Sequence, residues 1–321
     1  ADRNGAGDTM IMIAGKQDIS SLVGSVTWSG DRDQMARKLS FDYIHTDQDS
    51  NIEMVDIPLG TRIMMCDDNG ILKFDEVVLS LEKEESDIKI KLSCQDMAFY
   101  LKSEVFNTYN GTAAEITRAV CAEFSIITGS LADNGKPVEV VSTGEKSIYQ
   151  AISAAYEEAG MDVRIYMDGL ILCTEEYGAQ TAAVLTGDDQ VIGASYKSSI
   201  ENLVDQVLIL DDKGKFVKKV QDEENITAYG VVQKIYKKSG DKKDADEEAL
   251  KLIKGVENTG SVSIMAQDYE CVTGRKVMVM KAGSSICGLF SVVSDSHTIS
   301  NGEHKATLGL DFKGVQDNEE Q

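Results

Sequence analysis

Hydrophobic and polar residues alternate along most of the chain, and this period changes only in its middle part. From Met10 to about Leu101, short alternating runs are separated by turn residues, a pattern typical of β-strands. Residues 106–178 contain two segments with the spacing of amphipathic helices, and alternating runs return from Ala179 onward. The pattern therefore predicts a mainly β protein with a small α+β unit between two strand-rich segments.

The two helices of the middle segment are predicted by their N-terminal capping residues. Thr112 and Glu115 have the spacing of a capping box, and Ser147 and Gln150 repeat it. Gly160 predicts the end of the second helix. The expected core-facing positions are Ile116, Ala119, Val120 and Phe124 in the first helix and Ile148, Ile152 and Ala155 in the second.

Several turns and one further helix are also predicted. Tight hairpins are expected at Asp68-Asn69-Gly70, at Asp168-Gly169 and around Asp212-Lys213-Gly214, and a strand is expected within residues 226–238. Residues 242–255 predict a short exposed helix with one narrow apolar stripe, which we expect to cover a flank or edge of the neighbouring sheet. The stripe consists of Ala245, Ala249, Leu252 and Ile253.

The final hairpin, within residues 294–312, contains two of the chain's 3 histidines. Asn301-Gly302 is the strongest short signal for a two-residue hairpin turn, because both turn residues must adopt positive φ. With that loop, His297 pairs with Ala306, and His304 lies on the same face of the hairpin. We expect a packed, mainly apolar face, since a tetrahedral metal site would need further ligands that the sequence does not indicate.

Composition argues against several classes of function. The net charge of −22, from 54 acidic and 32 basic residues, argues against nucleic-acid binding, because phosphate contacts need clustered lysine and arginine. No apolar stretch approaches the ~20 residues that span a bilayer, and the first residues lack a signal-peptide pattern, so we expect a cytosolic origin and no membrane insertion. The 6 cysteines are widely spaced, which is typical of buried thiols in an intracellular protein.

Motifs for catalysis, cofactors and metals are incomplete. Gly5-Ala-Gly7 lacks the third glycine of a dinucleotide-binding loop, and residues 144–147 lack the first glycine of a phosphate loop. Residues 47–51 resemble the start of a calcium loop, but Ile52 stands at the glycine position. Cys287 stands where a nucleophile elbow has its second glycine. We therefore predict no enzyme activity, no catalytic residue, no cofactor and no metal site.

Two stretches carry a resemblance to a known family. Residues 26–44 contain an aromatic-Ser-Gly turn followed by Arg-x-Leu-x-Phe, formed by Trp28, Ser29, Gly30, Arg37, Leu39 and Phe41. Residues 288–312 contain a Ser-His pair and a Gly-x-His pair, formed by Ser296, His297, Gly302 and His304. Both patterns resemble the baseplate hub, or tube-to-spike adaptor, proteins of contractile phage tails and R-type bacteriocins. They are most similar to the XkdQ-like tail hubs of defective Bacillus prophages, over nearly the whole chain.

The resemblance implies two tail-tube-like β-barrel domains flanking a helix-containing middle domain. Combined with the periodicity, it places the domains at residues 1–105, 106–178 and 179–314. The third domain carries a helical insertion near residues 242–255, and an acidic tail follows at residues 315–321.

The resemblance also implies a homotrimer whose six barrels form a pseudo-sixfold ring between the sixfold tail tube and the threefold spike. The expected partners are the tail tube protein, the central spike protein, the tape measure protein and other baseplate proteins. Assembly is expected in the bacterial cytoplasm, and the product is a phage tail or bacteriocin particle. Part of the acidic excess is expected on the channel wall, where it repels a polyanion; the candidates are Asp47, Asp49, Asp67 and Asp68. The alternative is an acidic outer surface that only keeps the protein soluble.

Two other classes of function stay open. An acidic β-sandwich binding module, secreted or on the cell surface, would be favoured by a monomeric state or a cleaved signal. A hydrolase would need a deep pocket that holds His45, His297 or a cysteine beside a carboxylate.

Overall fold

The protein is mainly β, with 53% strand and 17% helix, as the periodicity predicts. The computed structural model describes residues 10–67, 70–83, 88–238, 245–266, 269–280 and 286–312. Within these ranges, no helix has the length and apolar character that a membrane span requires. The described residues form two compact units: those within 195–260, together with Phe312, make the second unit, and the remaining described residues make the first.

The elements follow the chain in this order. The first unit begins with β1 (Ile11–Ala14), β2 (Gln17–Asp18), β3 (Val23–Asp31), β4 (Lys38–Ile44), β5 (Arg62–Cys66), β6 (Leu72–Glu82), β7 (Lys89–Asp96), β8 (Glu104–Thr112), α1 (Ala113–Glu123), β9 (Ile127–Thr128), β10 (Pro137–Ser147), α2 (Ile148–Ala159), β11 (Val163–Asp168), β12 (Ile171–Glu176), β13 (Thr181–Thr186) and α3 (Gly187–Gln190). The chain continues through β14 (Val191–Ser199), β15 (Gln206–Leu210), β16 (Phe216–Gln221), α4 (Glu223–Tyr229), β17 (Gln233–Lys237), α5 (Ala245–Leu252), β18 (Glu257–Met265), β19 (Lys276–Met280), β20 (Gly288–Ser300) and β21 (Glu303–Asp311).

One large sheet of 13 strands contains strands from both strand-rich segments of the sequence. Its order is β14-β18-β21-β20-β3-β4-β7-β6-β5-β1-β2, and β19 joins β20 to β13. β20 and β3 pair in antiparallel orientation, so the C-terminal hairpin lies directly beside an N-terminal strand. The apolar faces of β3, β4 and β7 supply much of a core cluster that includes Val26, Leu39, Phe41 and Leu92.

The predicted C-terminal hairpin is confirmed residue by residue. Asn301 and Gly302 have φ values of 51° and 75°, the left-handed conformation that this turn requires. His297 pairs with Ala306, and His304 pairs with Ile299, as the two-residue loop predicts. The inward positions of β21 are buried as expected.

Both predicted helices of the middle segment begin at capping boxes. The side chains of Thr112 and Ser147 accept from the backbone N–H groups three residues later, and Glu115 and Gln150 return the bond. Gly160, with φ 78°, ends α2 as expected. The helices pack on the β8–β10 ribbon through the predicted residues Ile116, Val120, Ile148, Ile152 and Ala155.

Two expected core positions of α1 are wrong. Ala119 lies on the exposed side of the helix, and Phe124 follows its last residue and is 38% exposed. The buried stripe instead includes Ala113, Ala114 and Thr117, whose small side chains allow close approach to α2. The predicted Asp168-Gly169 hairpin is present as β11–β12.

The second unit is a three-stranded sheet, ordered β16-β15-β17, covered by α5. The predicted apolar stripe is confirmed, because Ala245, Ala249, Leu252 and Ile253 pack against the buried Val207 and Ile209 of β15. The strand expected in residues 226–238 is confirmed for Gln233–Lys237 and wrong for residues 226–229. Residues 226–229 belong to α4, because the Asp222 side chain caps two N–H groups of its first turn and Gly230 ends it.

Some expectations fall outside the described residues: Gly5-Ala-Gly7, Asp68 and Asn69 of one predicted hairpin, residues 242–244 of the predicted insertion, and the acidic tail at 315–321. The division into two barrel domains and a middle domain stays a prediction.

Candidate functional site

The two stretches that carry the family resemblance lie side by side in the large sheet. In the β3–β20 pairing, His297 stands opposite Trp28, and Asp295 stands opposite Gly30. β4 flanks β3 on its other side and places Leu39 opposite Trp28. Strand pairing alone therefore brings the N-terminal and C-terminal motifs into one buried cluster, which we call the polar network.

An ion pair between Arg37 and Asp295 lies at the centre of the polar network. Nη1 of Arg37 donates to Oδ1 of Asp295 at 3.0 Å, and Nη2 donates to Oδ2. The carboxylate also accepts from the backbone N–H of Thr273 at 2.6 Å and from its hydroxyl at 2.7 Å. Burial alone would raise the pKa of Asp295, but the charge of Arg37 and the hydrogen bonds hold that pKa well below its usual value.

The indole ring of Trp28 stacks against the guanidinium of Arg37. The guanidinium carbon lies 3.6 Å from the centre of the indole ring, in the geometry of a cation–π contact. The indole stacks on Phe74 with 4.2 Å between ring centres, and its N–H donates to Oε1 of Glu76 at 3.2 Å. A β-carbon at Gly30 would lie 2.9 Å from the guanidinium carbon, so only glycine leaves room for Arg37 there.

The two histidines form the other end of the polar network. Nδ1 of His297 lies 2.8 Å from Nε2 of His304, and Nε2 of His297 lies 3.1 Å from the carbonyl oxygen of Cys271. A carbonyl only accepts, so Nε2 of His297 carries the hydrogen. Burial and, to a smaller extent, the neighbouring His297 together lower the pKa of His304 to about 4. His304 also stacks on Tyr269, with 4.5 Å between ring centres.

Two buried carboxyl groups face the same region from β6 and β7. Glu76 and Asp96 stand opposite each other in the strand pairing. Burial raises the pKa of Glu76 well above its usual value and raises the pKa of Asp96 to about 6. Asp96 accepts from the backbone N–H groups of Ala98 at 2.9 Å and Arg37 at 3.3 Å. These bonds hold the chain between β3 and β4 against β7.

The polar network continues into the β11–β12 hairpin of the middle segment. Nη1 of Arg164 donates to the carbonyl of Thr273 at 3.1 Å, and its Nε lies 2.8 Å from Oε1 of Glu175. Arg275 approaches the same carboxylate oxygen at 3.8 Å. A chain of contacts thus runs from the β3–β4 connection, through Asp295, to the α+β segment.

This geometry is suited to holding elements of the sheet together. His297 is fully buried, and its partners are another histidine, a carboxylate and a carbonyl. Among the residues that the structure describes, no group of three or more His, Cys, Asp or Glu is placed to hold a metal ion. A cavity of about 230 Å³ adjoins Arg37 and Arg164 and is lined largely by residues 30–37 and by α2.

The sequence motifs identified part of the polar network and missed the rest. Trp28, Gly30, Arg37, His297 and His304 belong to the network. Ser29 and Ser296 pair with each other across β3 and β20, Leu39 and Phe41 enter the adjoining core, and Gly302 makes the turn. The missed members are Glu76, Asp96, Arg164, Tyr269, Thr273 and Asp295. Among these missed members, only Asp295 is predictable from the sequence, because strand alternation puts it on the same face as His297.

A family model described as YQBQ-like matches residues 26–311. The chain belongs to the YQBQ-like family. The matched range begins in β3 and ends in β21, so it includes every member of the polar network. No curated protein matches the sequence significantly.

Solved structures of tail proteins share the fold of this YQBQ-like protein. A tail protein from Neisseria meningitidis MC58 is similar with a TM-score of 0.71 and 15% identity, over 96% of this chain and 98% of that one. The 43 kDa tail protein of prophage MuSo2 from Shewanella oneidensis is similar with a TM-score of 0.73 and 14% identity, over 94% and 96%.

A component of a type VI secretion system shares the fold more distantly. The E. coli c3393 protein, described as structurally similar to the T4 bacteriophage tail proteins gp27 and gp5, gives a TM-score of 0.54 at 10% identity. The similarity covers 90% of this chain and 73% of that one. At these identities the likeness establishes the fold.

Proposed function

We propose that this YQBQ-like protein is a structural baseplate hub of a contractile tail or bacteriocin-like particle, similar to XkdQ-like tail hubs. The observation that carries the proposal is the extent of the fold match, which covers 96% of this chain and 98% of the Neisseria tail protein. The closed polar network, with its fully buried histidine and ion-paired carboxylate, also supports a scaffold rather than an enzyme.

The proposed assembly is a homotrimer that adapts a sixfold tube to a threefold spike. Each chain supplies two barrel domains, at residues 1–105 and 179–314, on either side of the middle domain at 106–178. Three chains then present six similar barrels to the tail tube protein and three equivalent surfaces to the central spike protein. The tape measure protein and other baseplate proteins are further partners, and the particle assembles in the bacterial cytoplasm.

The proposed channel wall is acidic, because a tube that passes DNA or a protein tape must not retain it. Like charge lowers adhesion to a polyanion, whereas lysine and arginine bind phosphates through counterion release. Asp47, Asp49 and Asp67 are candidates for this wall. An electrostatic map of the assembled trimer tests the idea, and a neutral or basic channel would overturn it without affecting the hub proposal.

The mass of the protein in solution, together with negative-stain images, tests the hub proposal. We expect a particle of three times the 34.9 kDa chain mass, seen as a ring with a central hole. A monomer that neither forms rings nor binds a tail tube or spike protein would overturn the proposal and favour the acidic binding module.

A further inference from the structure

Charge is distributed very unevenly between the two compact units. Of the 54 acidic and 32 basic residues in the chain, 13 acidic and 12 basic residues lie within residues 195–260. The second unit is therefore nearly neutral, and the first unit carries almost all of the net charge of −22. The second unit therefore repels an acidic surface of another copy far less than the first unit does, and its local basic patches are not outweighed by net charge.

The second unit exposes one face of its three-stranded sheet. α5 covers the face that carries Val207 and Ile209, so the opposite face is open among the described residues. The open face carries two rows of residues that pair across β16, β15 and β17: Lys219–Leu208–Ile235 and Phe216–Leu210–Lys237. We call these six residues the lysine face.

The lysine face has an apolar centre with a positive charge at each edge. Phe216 and Ile235 are each 57% exposed, and Leu208 and Leu210 lie between them. Lys219 is on β16 and Lys237 is on β17, the two outer strands of the sheet. Neither lysine forms an ion pair with another described residue.

The first unit exposes a face of matching design on the β8–β10 ribbon. The helices α1 and α2 cover the side of the ribbon that carries Val105, Tyr109, Val138 and Val140. The outward positions include Glu104 and Phe106 on β8, and Glu139 and Val141 on β10. We call these four residues the glutamate face.

The glutamate face also has an apolar centre with charge at its ends. Phe106 is 79% exposed, and Val141 is 48% exposed and lies diagonally across the ribbon from it. Glu104 and Glu139 stand two residues before these apolar residues on their own strands, and both are exposed. Neither glutamate side chain has a hydrogen-bonded or ion-paired partner among the described residues.

We propose that the glutamate face of one copy docks on the lysine face of the next copy. Apolar centres would bury each other, and each lysine would meet a glutamate at the rim, where charge pairs give specificity. The contact is heterologous, because two different surfaces of the chain meet, and such a contact forms a ring when the rotation between copies closes. The inference rests on the proposed trimeric hub and assigns one of its subunit contacts.

Charge reversal on the full-length chain tests this contact. Lys219→Glu/Lys237→Glu and Glu104→Lys/Glu139→Lys are each expected to raise the dissociation constant of the trimer at least tenfold, measured by analytical ultracentrifugation. A chain with all four substitutions restores every charge pair in the opposite sense, so we expect its dissociation constant to return to within about threefold of the unmodified value. Raising the NaCl concentration should weaken the unmodified trimer.

The matched control is Lys213→Glu/Lys234→Glu. Both lysines are exposed, but Lys213 is in the β15–β16 turn and Lys234 lies on the α5 side of the sheet. The control makes the same change in net charge, and we expect less than a twofold effect on the dissociation constant. All substituted residues are on the surface, and circular dichroism checks that each variant folds.

Each remaining outcome is decisive. A trimer that tolerates both reversals, or a fourfold variant no better than the worse double variant, overturns the docking proposal and leaves the hub proposal intact. Binding of a short DNA duplex that depends on Lys219 and Lys237, with assembly unchanged, would assign the lysine face to a polyanion instead. An unmodified chain that stays monomeric at all salt concentrations would overturn both proposals.

Discussion

Replacing Arg37 with methionine tests whether its ion pair with Asp295 holds the polar network together. The Asp295 side chain is fully buried, and the Arg37 side chain is 18% exposed. Methionine keeps much of the packing volume but leaves the carboxylate without its charged partner. Removing one partner of a buried pair costs about 3–5 kcal/mol, so we expect Arg37→Met to lower the free energy of unfolding by about that amount.

The companion substitution Asp295→Asn removes the charge but keeps an acceptor oxygen for Thr273. Arg37 is then partly solvated and still stacks on Trp28, so we expect a smaller cost of about 2–3 kcal/mol. The double variant leaves no unpaired charge in the interior. Its cost should therefore fall short of the sum of the two single costs by at least about 1.5 kcal/mol.

Urea unfolding followed by the fluorescence of Trp28, the only tryptophan in the chain, measures these free energies at the site itself. Arg32→Met is the matched control, because Arg32 pairs with Asp162 at 2.7 Å on the surface, where both side chains are more than 40% exposed. Such pairs contribute about 0–1 kcal/mol. Single costs that add within about 0.5 kcal/mol, or an Arg37→Met cost no larger than the control, would refute the reasoning.

Three further predictions concern other contacts. Burial and the neighbouring His297 lower the pKa of His304 from 6.5 to about 4, so its contribution to stability is complete above pH 6.5 and is lost as the pH falls to 4. The unfolding free energy of the unmodified protein, measured relative to His304→Gln, should drop by up to about 3 kcal/mol over that range. Gly30→Ala should lower the free energy of unfolding by about 1–3 kcal/mol through overpacking. Gly24→Ala on the same strand should cause no overpacking, because no atom lies within 4 Å of the new carbon; equal shifts in the melting temperatures of the two variants would contradict this. Leu252→Asp should destabilise the second unit by about 2–3 kcal/mol. Leu250 is 57% exposed on the same helix, so Leu250→Asp should change the stability little. An unchanged melting temperature for both variants would mean that α5 does not depend on its apolar stripe.

The parts of the fold that sequence predicts well are those set by neighbouring residues. Asn301-Gly302 determines the register of the final hairpin because the turn and both strands are contiguous. Capping boxes at Thr112 and Ser147 determine where α1 and α2 begin for the same reason. The α4 segment differs from its prediction, because Ile226 and the residues around it alternate like a strand but the Asp222 cap is the stronger signal.

The polar network was only partly predictable because its contacts are long-range. Arg37 and Asp295 are 258 residues apart, and no local pattern indicates that β3 and β20 pair. Family resemblance indicates that the residues around Trp28 form a motif, but it gives no information about what they contact. Glu76 and Thr273 carry no motif, and only the folded sheet brings them to the same place.

The position of the polar network gives its charged residues a structural role in the large sheet. A strand that slips by one residue against its neighbour turns every side chain to the opposite face of the sheet. If β20 slipped against β3, Asp295 would leave Arg37, and a guanidinium between Trp28 and the core would lose its counter-charge at a cost of several kcal/mol. A slip of two residues would return the apolar side chains to the buried face, but it would still separate Asp295 from Arg37. The buried charges therefore select one register for the pairing of β3 with β20, which joins the N-terminal and C-terminal parts of the large sheet.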